Sequence, residues 1–295
     1  MVCNRIEKVN DIHNINLHTL GSFCDFEPGY SPEDSSSISF LEDNKTYVIM
    51  ASKTTYHHFF INLMMPALMV LEEKNNEDLH FVLCNMNLRD GEENFDNLLI
   101  ELLQERGISY TQLDNSEFTY LNAKNFIPIN GVDLEAGVPL LYNYLLNKYN
   151  MVPETPNKKI YISRRNYSSP DIRVDNEEIL ENYFIEKGFE IVYPEDITTF
   201  KEQFELFNSC STLAALSGSG LTSLIFMQEN QKVIEILTEI MVNYTMSDDQ
   251  TKVIVYGIHN HYRDMALLKN HTYLVALNSE KQAELVKAKL DNIEF

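Results

Sequence analysis

At 295 residues the chain is long enough for two compact domains with separate cores. Its formal net charge of -21 opposes sequence-independent binding to nucleic acid or anionic lipid, both of which need Lys and Arg to neutralise phosphates. Cys3, Cys24, Cys84 and Cys210 are widely spaced, without the clustered Cys/His pattern of a zinc site. The amino terminus lacks the apolar core of a signal peptide, and no apolar run reaches the ~18 residues of a membrane span. The expectation is a soluble, cytoplasmic protein with no nucleic-acid partner and no membrane span.

The first 40 or so residues, with Pro28, Gly29, Pro32 and the serines 35–37, read as loops with room for one edge strand. YVIMA (47–51) and LHFVLC (79–84) are short apolar runs of the kind that fill buried strands. Residues 56–74 between them have helical length and an apolar middle. Residues 96–106 read as an amphipathic helix ending at Gly107, before the strand ISYTQL. After a helix over 132–149, Pro153 and Pro156 interrupt the chain, which sets a domain boundary between 1–153 and 154–295. The second part alternates strand 159–163, helix 176–187, Gly188, strand 189–193, helix 200–207 and strand 213–216. A turn at SGSG, a short helix through Phe226, strands 233–237 and 273–276 and a final helix follow. Thr199 with Glu202, and Ser279 with Gln282, have capping-box spacing. The alternation predicts an α/β fold with a parallel sheet and ligands at the carboxyl ends of its strands.

Against so acidic a chain, KKIYISRR (158–165) stands out, with Arg173 close behind. Arg164 and Arg165 at the carboxyl end of this strand answer either to a bound anion such as phosphate or only to acidic neighbours across a solvated surface. SGSG, Ser217-Gly218-Ser219-Gly220, joins a strand to a helix opened by Leu221 and Thr222. Its glycines permit close backbone approach, and the helix start offers unpaired N–H groups to a phosphate; the other reading is an ordinary turn. Both segments are expected on one rim of one sheet. Glu235, in the apolar strand VIEI, needs a partner if it is buried, and a ribose diol would serve; at a strand end it would face solvent instead. Pro194 and Glu195 end another strand, where Pro194 is expected to leave the chain extended with backbone groups available to a base edge. In the first half, YHHFF supplies His57 and His58, with Asn62 one turn after His58. A histidine in a cleft can act as general base, although most histidines do not. Adjacent Asp248 and Asp249 do not make the Asp-x-Asp with which many sugar transferases hold a metal, and no P-loop, G-x-S-x-G or G-x-G-x-x-G is present.

Taken in order, these segments resemble the family 61 glycosyltransferases, which include plant xylan-decorating enzymes, animal protein O-GlcNAc transferases and many bacterial polysaccharide enzymes. The family shows a strand ending in Ser-Arg-Arg, then Asn-Glu-Glu, Gly-Phe-Glu leading to Pro-Glu, an aromatic-flanked helix, His-Gly-Ala-Gly-Leu-Thr-Asn and a closing Val-Ile-Glu. This chain has Ser163-Arg164-Arg165, Asn176-Glu177-Glu178, Gly188-Phe189-Glu190, Pro194-Glu195, Phe204 with Phe207, the run from Ser217 to Ser223, and Val233-Ile234-Glu235. In the first half only the His-aromatic helix is similar.

The resemblance implies a GT-B arrangement of two Rossmann-like domains facing across a cleft, an acceptor-side domain before a nucleotide-sugar-binding one, with the last helix free to pack back on the first. It implies an inverting transfer from a nucleotide diphosphate sugar, UDP-linked, to a glycan hydroxyl, with no metal or cofactor. Arg164 and Arg165 would lie near the donor diphosphate, Gly218 to Thr222 at the phosphate-facing turn, Glu235 near the ribose and His58 in the cleft. Ser217 departs from the family histidine and Ser223 from its asparagine. A serine can donate one hydrogen bond but carries no positive charge. A binding or scaffold protein of impaired catalysis, or a pyruvyl-type transferase acting on polysaccharide, are the alternatives.

Overall fold

The computed structural model describes residues 13–16, 37–51, 55–74, 78–84, 95–113, 120–129, 132–166, 174–237, 258–277 and 282–293. Cys3, Cys24, Arg173, Asp248, Asp249 and Ser279 lie outside them. The chain is α/β and divides into two compact units, Met1–Leu141 and Tyr142–Phe295.

The first unit contains strands β1 (His13–Asn16), β2 (Ser37–Phe40), β3 (Thr46–Ala51), β4 (Leu79–Cys84), β5 (Ser109–Leu113), β6 (Tyr120–Ala123) and β7 (Phe126–Pro128). β5-β4-β3-β7 is a parallel sheet, and β1-β6-β2 is a smaller second one. Tyr47, Ile49, Val82 and Phe126 of the larger sheet share a core with Leu121 and Ala123 of β6 and with the partly buried Ile38 and Phe40 of β2. One face of the parallel sheet is thus covered by another sheet, whose three strands are each only four residues long, too short to show a clear period in the sequence.

The helix expected over 56–74 is present as α1 (Tyr56–Phe59), a π-turn (Phe60–Met64) and α2 (Met65–Glu73). Pro66 explains the π-turn. It has no N–H to donate to the carbonyl one α-turn back, so the preceding turn widens and the Met65 N–H reaches the Phe60 carbonyl. α3 (Leu98–Glu105) ends before Gly107, whose φ of +67° suits a residue without a Cβ. α4 (Leu134–Tyr149) runs across the division between the units.

The second unit follows the predicted alternation closely. Its elements are β8 (Lys158–Ile162), α5 (Glu178–Glu186), β9 (Glu190–Val192), α6 (Phe200–Asn208), β10 (Cys210–Leu216), a 3-10 helix (Ser219–Phe226), β11 (Lys232–Leu237), α7 (Ile258–Leu268), β12 (Thr272–Leu277) and α8 (Ala283–Leu290). All five strands are parallel, in the order β12-β11-β10-β8-β9. On one face Tyr161, Ala214, Leu216, Ile234 and Ile236 pack with Leu180 and Phe184 of α5 and with Ala283, Val286 and Leu290 of α8. On the other, Phe200 and Phe204 of α6 meet Phe226 of the 3-10 helix edge to face.

Thr199 and Glu202 form the expected capping box at the start of α6. Two expectations are corrected. Gln282 is not the third residue of the last helix but its N-cap, held extended by a bridge to Asp175, and makes no side-chain cap. Pro194 does not leave the chain extended: it opens a 3-10 turn, Pro194–Asp196, for which its fixed φ is suited.

The far end of the Ser219–Phe226 helix is closed by three side chains. His271 Nε2 lies 3.3 Å from the Leu224 carbonyl, Lys269 Nζ donates to that of Ile225 at 3.1 Å, and Asn208 Nδ2 to that of Phe226 at 3.2 Å. Lys269 is buried with Nζ 3.7 Å from the centroid of the Tyr142 ring, and burial brings its amine down to about 8. His271 Nδ1 accepts from the Gln231 N–H at 3.1 Å, so the neutral ring, protonated on Nε2, satisfies both contacts. Burial lowers its pKa to about 4, helped by Lys269. Between pH 6.5 and 4 the unfolded chain therefore binds the proton that the folded chain refuses, and stability falls as the pH falls. This group should remove roughly 3 kcal/mol across that window. Urea unfolding of wild type and His271→Asn at pH 7 and pH 4.5 checks it: the loss on acidification should be smaller in the variant.

Candidate functional site

In the second unit the strand order reverses at β8. β9 lies on one side of it and β10, β11 and β12 lie on the other. α5 leaves β8 toward one face of the sheet, while the 3-10 helix leaves β10 toward the other. Such a switch point opens a crevice outside the carboxyl ends of the two strands, the usual ligand site of open parallel sheets. The last registered pair is Ala215 with Ile162. Ser163-Arg164-Arg165 and Ser217-Gly218-Ser219-Gly220 therefore leave adjacent strands on the same rim, as the sequence predicts. Gly220 lies above β8, where a Cβ would touch Ile162 Cγ2 at 3.4 Å.

Two acidic side chains of α5 and its N-cap hold the β8 end. Glu177 Oε1 accepts from the Tyr161 hydroxyl at 2.8 Å and the Arg164 N–H at 3.0 Å. Burial raises its pKa, and these two hydrogen bonds oppose the rise. Glu181, 4% exposed, accepts from the Ser163 hydroxyl at 2.6 Å and the Tyr193 hydroxyl at 2.9 Å through Oε1, and pairs with Arg165 Nη1 at 3.1 Å through Oε2. Arg165 Nη2 in turn donates to the Tyr193 hydroxyl at 2.8 Å, and the Arg165 N–H to Ser163 Oγ at 3.1 Å. The backbone N–H groups of both arginines are thus committed inward, and the strand end can meet an anion with guanidinium groups rather than with a backbone nest.

In the following turn Ser217 and Gly218 are buried, while Ser219 and Gly220 are partly exposed. The Ser217 N–H bonds the Ile236 carbonyl at 2.9 Å, and the Leu221 N–H bonds that of Gly218 at 2.9 Å. Thr222 and Ser223 are buried in the 3-10 helix. Pro194 and Glu195 stand just beyond β9, Glu195 exposed.

Glu235 is buried at 1% exposure, opposite Ala215 on β10 and Val275 on β12. Of the two readings from sequence, the buried one is realised, and the partner shown is the Tyr273 hydroxyl, which donates to Glu235 Oε2. Desolvation first, and then the adjacent carboxylate, push the Tyr273 phenol far up. A ligand hydroxyl at Glu235 would share it with Tyr273.

In the first unit α1 follows β3, the strand at which that sheet also reverses its order between β4 and β7. His57 is buried and His58 half-buried. Asn62 Nδ2 lies 3.1 Å from His58 Nδ1. In this arrangement Nδ1 accepts and the neutral ring carries its proton on Nε2; an amide turned by half a rotation would offer Oδ1 to Nδ1–H and give Nε2 the lone pair a base requires. Among the described residues no three His, Cys, Asp or Glu gather as a metal site, and no helix is long and apolar enough to cross a membrane.

Glu177, Glu181, Tyr161, Tyr193 and Tyr273 are the participants that sequence reasoning missed. The signal for two of them was present: Glu177 and Glu181 stand four apart, in phase with the apolar Leu180 and Phe184, so one helical face carries carboxylates into the core.

The parallel sheets define an α/β protein in which arginines and glycines share the rim at a switch point of the strand order. The family model described as Glycosyltransferase 61 matches residues 56–234, well over half of the chain and from α1 into β11. The chain belongs to glycosyltransferase family 61 and is a glycosyltransferase, acting between a sugar donor and an acceptor. Comparison with curated proteins gives no match.

Because Glu235 is buried, deleting the Tyr273 hydroxyl should cost about 1–3 kcal/mol by leaving a carboxylate under-satisfied. Urea unfolding of Tyr273→Phe measures this; equal stability would show that the contact is replaceable.

Proposed function

We propose that this glycosyltransferase moves a sugar from a UDP-linked donor to a glycan hydroxyl with inversion and without a metal, in a GT-B arrangement of two Rossmann-like domains facing across a cleft. The observation that carries the reading is the convergence of Ser163-Arg164-Arg165 with Ser217-Gly218-Ser219-Gly220 at the β8/β10 switch point. The carboxyl rim of the second unit would hold the donor, and the first unit the acceptor. Absence of Asp-x-Asp from the sequence favours metal independence. A cytoplasmic location belongs to the same proposal and is supported by Cys210, which is buried and not in a disulfide.

In the proposed reaction the acceptor oxygen attacks the anomeric carbon from the side opposite the diphosphate. The new C–O bond forms as the old one breaks, and UDP leaves with the bonding electron pair. The charge developing on UDP is the largest electrostatic demand, and Arg164 and Arg165 would meet it. Arg164 stands two residues beyond Ile162, the end of β8, above which Gly220 lies. Ser219 and Gly220 would approach the phosphates, Leu221 and Thr222 would fix the turn beneath them, Glu235 with Tyr273 would bind the ribose, and Pro194 and Glu195 would flank the base. His58, with Asn62 turned to accept from Nδ1–H, would take the acceptor proton on Nε2.

Ser217 supports one competing reading. With no cationic side chain at this position, the chain would bind a nucleotide without turning it over, and detection of transfer from any nucleotide sugar rejects that version. The main test is calorimetry with UDP. Arg164→Ala should weaken binding about 10- to 100-fold, the loss of a charge-assisted contact. Unchanged affinity would remove Arg164 from the donor site.

A further inference from the structure

The way the Arg165 side chain is held assigns a role to a carboxylate that the proposed chemistry does not touch. Glu181 is almost wholly buried, yet its side chain meets an arginine whose own side chain is 43% exposed. Three contacts converge on it: the Ser163 hydroxyl, the Tyr193 hydroxyl and Arg165 Nη1. Tyr193 closes the ring by accepting from Arg165 Nη2, with its aromatic ring 5.7 Å from the guanidinium carbon. A guanidinium has five N–H donors in a rigid planar fork, and these inward contacts use only part of them. One edge of the group is therefore fixed against the protein while the group as a whole stays open to solvent.

We infer that Glu181 is a positioning residue: with Tyr193 it clamps the inner edge of Arg165 so that the outer edge is presented, already oriented, to the diphosphate of the nucleotide donor. This rests on the donor-site reading above. Arg165 cannot readily swing away to follow a ligand, because the move would leave a buried carboxylate without its cation. Its contribution is that of a fixed dipolar wall, which loses little orientational freedom when the anion arrives. Lysine could not do the same, since an ammonium is a point charge without two opposed edges. Ser163 ties the clamp to the strand, because its Oγ both donates to Glu181 and accepts from the Arg165 N–H.

The inference makes a prediction opposite in sign to simple Coulomb reasoning. Glu181→Gln removes a negative charge beside the anion site, and by charge alone UDP should bind more tightly. If Glu181 positions Arg165, UDP should instead bind about tenfold more weakly, the value of one misplaced charge-assisted contact. UMP, which lacks the second phosphate, should lose less, so the ratio of UDP to UMP affinity falls; general damage to the fold would lower both alike. Tyr193→Phe, which changes no charge, should shift the ratio the same way by about threefold, the value of one neutral hydrogen bond. Calorimetry with UDP and UMP on the full chain reads all three proteins. Equal or tighter UDP binding by folded Glu181→Gln, with wild type binding UDP, overturns the inference and leaves the donor-site reading standing. If Glu181→Gln does not fold, an unchanged UDP to UMP ratio in Tyr193→Phe overturns it. Failure of wild type to bind UDP overturns both.

Discussion

The parallel pairing of β8 with β10, Ile162 level with Ala215, decides where every candidate side chain of the second unit stands. Neither strand follows the other in the chain, since β9 comes between them and is placed on the outer side of β8. The connections that leave β8 and β10 must therefore part, one to the α5 face and one to the α6 face, and the gap between them opens at the carboxyl ends. Had β9 been inserted between β8 and β10, the arginines and the glycine turn would stand two strands apart, about 10 Å across the sheet. The order of strands, more than any single residue, brings the arginines and the glycine turn together on the rim.

Packing then converts position into rigidity. On the α5 face Tyr161 stacks on Phe184 with ring centroids 4.4 Å apart, while its hydroxyl reaches Glu177. One side chain thus serves the core with its ring and the rim with its oxygen. On the opposite face the 3-10 helix is held at its far end by Asn208, Lys269 and His271, three side chains from α6 and the α7–β12 junction. Eight residues of 3-10 helix are long for that geometry, whose hydrogen bonds are poorer than those of an α-helix. The carbonyls left at its end are buried, and each of these side chains supplies a donor that water cannot. Burial lowers the pKa of both the histidine and the lysine, so the far end of this helix is held by groups whose proton affinity the fold reduces.

What the sequence revealed and what it hid divide along physical lines. The central strands of the second unit read as largely apolar runs, such as KVIEIL with Val233 to Leu237 all buried, because a parallel sheet buries both faces, and such runs are legible without context. β6 and β7, four and three residues long, are too short to carry a period. α7, IHNHYRDMALL, has His259, Asn260 and His261 in its first turn, which hide its start, although Tyr262 and Met265 are buried three apart. The π-turn depends on one missing N–H, that of Pro66, and the 3-10 turn at Pro194 on one fixed φ. In the candidate site the residue types were legible but their pairing was not. Glu235 could be read as costly to bury, yet Tyr273 lies 38 residues further along and meets it only because β11 and β12 pair in parallel.

The same limit explains why the charge of KKIYISRR could not be interpreted from sequence alone. Two arginines in a chain of net charge -21 stand out as a cationic patch, but the fold supplies Glu177 and Glu181 beneath them. Acidic side chains thus lie against both arginines, and the strand end is less cationic than its sequence suggests. A flexible cationic surface attracts any anion and yields to salt. A guanidinium braced by a buried carboxylate retains its direction when its long-range field is cancelled, and selects an anion by geometry at contact distance. The two lysines at the other end of β8 illustrate the contrast. Lys158 Nζ stands 3.9 Å from Glu190 with both side chains about half exposed, a surface pair that fixes nothing. Within one eight-residue stretch, burial of the partner carboxylate separates a solvated charge from an oriented one.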